Sequence, residues 1–382
     1  MIYLDSAATA MQKPAAVARA MGFALSHMAS PGRGGHRPAM LAGDTAFRCR
    51  QEAAELFHVD SPENVVFTLN ATHALNIAIK SLVAPGDTVL ISGYEHNAVT
   101  RPLYALPDVT VKTAAAPLFD QRAMLGEFAR LMTPEVTAVV CTHVSNVFGY
   151  ILPIEQIAAL CRQRGKRLIV DASQSAGSLP VYLDELRADF IAMPGHKGLY
   201  GPQGTGLLLC GCKDIKPLLE GGTGSASLRQ DMPDFLPDRL EAGTHNVTGL
   251  AGLLEGIRYV RRTGEARILA HERSLVSLAA EGLRRLGRFT VFSGEAQAGV
   301  CSFVPRGLDC EALGEALGGR GIAVRAGLHC APLAHRTAGT LDTGTVRLSV
   351  SAFNRAEEIR RFLFEADRAA AQAGRGIVVE TK

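Results

Sequence analysis

No block of like charge interrupts this 382-residue chain: 40 basic and 37 acidic side chains are spread along it, for a formal net charge of +3. That balance leaves no footprint for a phosphate backbone or a membrane surface, so nucleic acid is not an expected partner. No uninterrupted apolar run approaches the roughly 18 residues of a membrane span. The start, Met1-Ile2-Tyr3-Leu4-Asp5, carries no basic region followed by an apolar stretch, so a secretory leader is not expected and the reading is a cytoplasmic protein. The eight cysteines (49, 141, 161, 210, 212, 301, 310 and 330) include no C-x-x-C pair. In a chain of this length that spacing implies reduced thiols rather than a disulfide framework. Zinc-type ligands lie close together in Cys210-Gly-Cys212 and from His329-Cys330 to His335, but neither run has a common zinc spacing, and no metal is expected. Internal repeats and low-complexity tracts are also lacking.

What is present is an apolar content of 47%, enough to bury a full core over two packed domains. Strand-length apolar bursts begin at Val65, Thr88, Val109, Ala138, Leu168, Phe190 and Gly206. Helical stretches separate them, notably Ala71 to Leu82, Asp120 to Met132 and Ile154 to Arg164. This alternation predicts an α/β fold with a mostly parallel seven-stranded sheet covered by helices on both faces. Beyond about residue 250 the pattern changes to two long helices, through Arg262 and Arg285, then shorter strands near Thr290, Cys301, Ala323 and Val346. The expected division is an N-terminal segment (1–15) against the small domain, a large domain (16–252) and a smaller α+β C-terminal domain (253–382). Helices are expected near Pro14 to Met28 and Thr45 to Phe57.

The chemistry concentrates at two strand ends. Asp171 closes the run Leu168-Ile169-Val170, where open α/β sheets bind ligands. Taken alone, it serves equally well as a cap for the next helix. The following strand, Phe190 to Met193, runs into Pro194-Gly195-His196-Lys197-Gly198 and delivers a lysine to the neighbouring strand end. A carboxylate to hold a pyridinium proton and an amine to form a Schiff base are what a pyridoxal-phosphate site requires.

Asp171-Ala172-Ser173-Gln174 followed by Gly195-His196-Lys197 resembles the class V aminotransferase group of fold-type I pyridoxal-phosphate enzymes, most nearly the short-loop cysteine desulfurases and selenocysteine lyases. The resemblance extends through Tyr3 to Ala8, Asn70-Ala71-Thr72-His73, Glu95-His96-Asn97, Val144 to Gly149, Glu241 to Thr244 and Arg325 to Ala331. It implies that Lys197 forms the Schiff base, Asp171 pairs with the pyridine nitrogen, Gln174 bonds the phenolic oxygen and His96 stacks on the ring. It places the phosphate at Ala71, Thr72, His73 and His196, the helix N-terminus assisting. Thr244 and Arg33 correspond to residues a second subunit contributes, so the resemblance implies a homodimer. Asn146 and Arg347 would hold the substrate carboxylate, with Arg325 as the rival arginine.

Cys330, in the glycine-containing loop Arg325 to Ala331 with His329 beside it, corresponds to the nucleophile of the short-loop desulfurases. The implied reaction takes sulfur from L-cysteine, or L-selenocysteine's selenium, onto Cys330 and leaves alanine; a protein or thiol acceptor then collects the sulfur. An aminotransferase or epimerase with an incidental Cys330, and a sulfur-carrier scaffold, are the alternatives. Three positions depart from the family pattern: Pro194 where some desulfurases have a phosphate-binding serine, Leu328 in place of a histidine, and Ala71 in place of the first threonine of the phosphate turn.

Overall fold

The computed structural model describes residues 1–32 and 34–376. Seven strands form the large sheet: β1 (Val65–Thr68), β2 (Thr88–Ser92), β3 (Thr110–Ala114), β4 (Val136–Thr142), β5 (Arg167–Asp171), β6 (Phe190–Pro194) and β7 (Gly206–Cys210). Their spatial order is β1-β7-β6-β5-β4-β2-β3. All pairings are parallel except those of β7, which runs antiparallel to both β6 and β1.

The period-2 geometry of a strand explains why these segments are continuously apolar. Along β4, Val139 and Cys141 enter one core, whereas Ala138 and Val140 enter the other. Likewise Leu168 and Val170 of β5 face away from Ile169. Both faces are buried under helices, so neither set can be polar. Ala71–Leu82 packs on one face through Ala74, Leu75, Ala78 and Ile79, the i, i+3, i+4 repeat of an amphipathic helix.

A second sheet of four antiparallel strands comprises β8 (Phe289–Phe292), β9 (Val300–Pro305), β10 (Arg325–Gly327) and β11 (Thr345–Ser349), in the order β10-β11-β9-β8. It packs with the helices Glu265–Leu286, Cys310–Gly318 and Ala356–Gly376 around its own core, which includes Leu283, Phe303, Leu348 and Phe362. The chain's beginning is tied to this half: Ile2–Tyr3 pairs in parallel with Ile322–Ala323. The helix expected from Thr45 begins earlier, at Arg37, with the His36 ring accepting from the Ala39 amide at its N-terminus. No helix of the described residues is long and apolar enough to cross a membrane.

Candidate active site

Strand register brings the two key side chains together. Asp171 pairs across the sheet with Thr142 on one side and Ala192 on the other, and Lys197 follows Pro194 at the same end of β6. The turn carrying Lys197 is tightly packed: the Gly195 amide donates to Thr205 O (2.8 Å) and the Gly201 amide to Gly195 O (2.7 Å). A Cβ on Gly198 would lie 2.3 Å from Ala176 O, so only glycine fits beside the lysine. Burial lowers the Lys197 amine to about 8, with the Asp171 carboxylate opposing that shift. Asp171 is 3% exposed; one carboxylate oxygen accepts from the Ser173 amide (2.9 Å) and the other has no partner among the described residues.

These residues line a cleft of about 190 Å³ with Asn70, Ala71, Thr72 and His96. Asn70 caps the Ala71–Leu82 helix by accepting from the His73 amide (2.9 Å), which leaves the Ala71 and Thr72 end at the cleft. The His73 ring turns back to accept from the Leu69 amide (3.2 Å) and is not part of the lining. His96 caps its own helix, Nδ1 accepting from the Ala98 amide (3.0 Å), so the proton of the neutral ring sits on Nε2. Burial lowers this ring to about 4, keeping it neutral at pH 7. His196 is lowered to about 4 for the same reason and meets Thr9 Oγ1 at 3.1 Å. Gln174 lines the cleft and donates to Ala7 O (3.0 Å).

The arginine expected to grip a carboxylate is buried, not a surface charge on a strand. Arg347 is 2% exposed; Nη2 donates to Asp5 (2.7 Å), Nη1 to Asn146 O (3.0 Å), and Nε has no partner among the described residues. Arg325 lies opposite it in the register of β10 and β11 but is exposed. Asn146 Nδ2 donates to His329 O (2.8 Å), tying the lining to the Cys330 loop, and the Asn97 backbone N–H donates to Cys330 O (2.8 Å) from the other side. His329 and Cys330 both hold left-handed backbones, φ 50° and 56°, a conformation non-glycine residues keep only when their surroundings impose it. Cys330 is the exposed member of the eight cysteines. The neighbouring His329 ring does not turn to solvent beside it: it is buried, with Nε2 at 3.1 Å from Thr345 O, and burial pushes it far below the usual imidazole range.

Thr244 is exposed and does not line the cleft, and Arg33 lies outside the described residues. Three carboxyls, Asp5 half-buried and Glu95 and Glu241 buried, carry no mark of their own in the sequence. Asp5 orients Arg347. Glu95 accepts from Ser92 Oγ (2.5 Å) and from the amide (2.8 Å) of Thr142, the residue paired with Asp171, with burial raising it to about 8. Glu241 receives both terminal nitrogens of Arg50 and the Phe67 amide (2.6 Å), fixing the start of the Thr244 segment. Position within the family motifs Tyr3 to Ala8, Glu95 to Asn97 and Glu241 to Thr244 was the signal available. Among the described residues no group of three or more His, Cys, Asp or Glu side chains could hold a metal ion.

The donor set suits pyridoxal phosphate. Asp171 retains a free oxygen for a pyridine N–H, Lys197 offers an amine and the open helix end at Ala71 suits an anion. Curated relatives point the same way. A probable cysteine desulfurase of Mycolicibacterium paratuberculosis is 34% identical, covering 99% of this chain and 56% of that protein. One from Xylella fastidiosa is 35% identical over 95% of this chain and 89% of its own length. The chain spans 61% of a further relative, from Mycobacterium leprae, so it matches only part of the mycobacterial proteins. The solved cysteine desulfurase of Thermococcus onnurineus superposes with a TM-score of 0.88 at 31% identity, covering 97% of this chain and 95% of that one. Since the class V aminotransferase family model matches residues 2–362, and the solved relative shares the fold, the chain belongs to the class V aminotransferase family, with the fold-type I architecture.

Proposed function

We propose that this chain is a pyridoxal-phosphate-dependent cysteine desulfurase that moves sulfur from L-cysteine onto Cys330 and releases L-alanine. The observation that carries this reading is Cys330 itself: exposed, on a strained loop, and fastened to the cleft by Asn146 and Asn97. Burial pushes the other seven thiols up, which leaves them poor nucleophiles. The names of the curated relatives agree.

Asp171 would hold the pyridine nitrogen, Gln174 the phenolic oxygen, His96 the ring face, and Ala71, Thr72 and His196 the phosphate, since the His73 amide and ring are both turned to their own turn. When bound, pyridoxal phosphate supplies an electron sink for a carbanion at the substrate Cα. Arg347 and Asn146 hold the substrate carboxylate, the guanidinium offering a planar fork. Lys197, its amine lowered to about 8, takes the Cα proton and later returns one. The Cys330 thiolate then attacks the substrate sulfur. A sulfur–sulfur bond forms, the Cβ–S bond breaks with its electron pair passing to the substrate carbon, and protonation of that carbon completes alanine. The persulfide left on Cys330 is passed to an acceptor protein or thiol.

Thr244, exposed in the single chain, supports a homodimer in which it and Arg33 reach the partner's cleft. We further propose the division at residues 1–15, 16–252 and 253–382, with the last part carrying the cysteine loop, and a cytoplasmic setting. Purified protein given L-cysteine and a reductant should yield equimolar sulfide and alanine, both lost in Lys197→Ala and Cys330→Ala. Pyruvate and ammonia, or full activity in Cys330→Ala, would overturn the mechanism. L-selenocysteine as competing substrate separates the lyase activity by relative kcat/KM.

A further inference from the structure

Lys197 and Gln174 line two spaces. One is the cofactor cleft; the other is a narrow cavity of about 40 Å³ bounded also by Ser6, Ser178, Tyr200, Glu272, Gly299 and Ser351. A polar space of that size admits about two or three waters, and the lining hydroxyls supply partners for them. Glu272 projects into it from the helix Glu265–Leu286 and is 7% exposed, with no hydrogen bond or ion pair among the described residues. A Cβ on residue 299 would come within 2.6 Å of Glu272 Oε2, so the glycine there is what leaves room for the carboxyl.

A carboxyl buried without a cation or donor beside it is costly, and it keeps its proton instead of ionising. Burial alone raises Glu272 to about 8, so it is a neutral acid at pH 7. The ionisable groups facing it across the cavity are Lys197 and Tyr200, whose hydroxyl accepts from the Ala352 amide (3.0 Å). On its own helix the neighbouring Arg273 is turned to Gln297 O (2.6 Å). None of the residues assigned to the reaction uses this acid, yet it shares a water-sized space with the lysine that must gain and lose a proton.

We propose that Glu272 is a proton-relay residue acting through Lys197, with water held in this cavity as the link. The proposal rests on the reading of Lys197 as the group that takes the Cα proton. As an ammonium, Lys197 passes a proton to a cavity water. That water passes one to the carbonyl oxygen of Glu272, while the Glu272 O–H proton leaves through the next water to bulk solvent. The carboxyl stays neutral, no electrons move, and the reverse sequence returns a proton to the amine.

Glu272→Gln tests this directly. Because Glu272 is neutral at pH 7, glutamine matches both its size and its charge, so a packing role survives while the transferable O–H is gone. The protein carrying pyridoxal phosphate is placed in D₂O with L-alanine, and exchange of the alanine Cα–H is followed by NMR. Wild type should exchange, Lys197→Ala should not, and Glu272→Gln should exchange about tenfold or more slowly, with unchanged thermal stability. Equal exchange in wild type and Glu272→Gln overturns the relay and leaves the Lys197 assignment standing. No exchange in wild type overturns both. In the cofactor-free protein, the infrared carbonyl absorption of protonated acids should lose one component in Glu272→Gln while that of Glu95, raised to about 8 as well, remains; no difference there also sinks the proposal.

Discussion

Replacing Lys197 with methionine should make the cofactor-free protein more stable at pH 7. In the folded chain the amine sits at about 8 because burial disfavours its charge, whereas in the unfolded chain it titrates near the ordinary lysine value of about 10.4. Between those values the unfolded state binds more protons, so the lysine's burden on the fold is fully present below about pH 8 and disappears as pH rises through about 10.4. The lowering from 10.5 to about 8 corresponds to about 3 kcal/mol at pH 7, falling below about 1 kcal/mol near pH 10.5. Methionine has similar length and no charge, so it removes the burden while filling the space. Urea unfolding of wild type and Lys197→Met, at both pH values, reads the difference, and the higher pH serves as the internal control for packing. Equal stability at pH 7, or a gain that persists unchanged near pH 10.5, would refute the reasoning.

Glu241→Ala leaves the Arg50 guanidinium buried without its carboxylate, and should cost about 3–5 kcal/mol in urea unfolding, against at most about 1 for an exposed pair. Burial raises the Glu241 carboxyl but Arg50 and His245 more than offset it, so it lies below its ordinary value; this contribution is present above the unfolded carboxyl value and lost as pH falls through the folded one, and the variant should show less acid destabilisation than wild type. Gly198→Ala forces a methyl group to 2.3 Å from Ala176 O; a loss of about 1–3 kcal/mol and poor development of the cofactor absorbance are expected. Asp5→Asn weakens the partner that aims Arg347, and should raise KM for L-cysteine about tenfold with cofactor binding intact, in line with loss of a charge-assisted bond. A fall in kcat with KM unchanged would remove Asp5 from that role.

The large sheet was legible because its strands are buried on both faces, so that Ala138 to Val140 and Leu168 to Val170 stand out as unbroken apolar runs. The antiparallel course of β7 was not, since a run such as Gly206 to Leu209 carries no mark of direction. The helix start at Arg37 was hidden by the weakly apolar stretch preceding Thr45 and by a histidine cap, an uncommon choice. Lys197 and Asp171 could be found because each ends an obvious strand. Glu95, Glu241 and Glu272 could not be read as buried, nor Asp5 as half-buried: carboxyl side chains are ordinarily exposed, and the partners or space that enclose these come from distant parts of the chain. The Asn146 bond to His329 O is of the same kind, a long-range contact between two loops.

The exposure of Cys330, with six other thiols buried and Cys212 half-buried, makes the protein chemically addressable at one point. A maleimide or iodoacetamide under mild conditions should mark one sulfur in a chain of eight cysteines, and a tag selective for persulfides should report the loaded state of that same atom. With that atom activated as a mixed disulfide, a thiol acceptor that docks productively becomes covalently joined to the loop, and its mass identifies it.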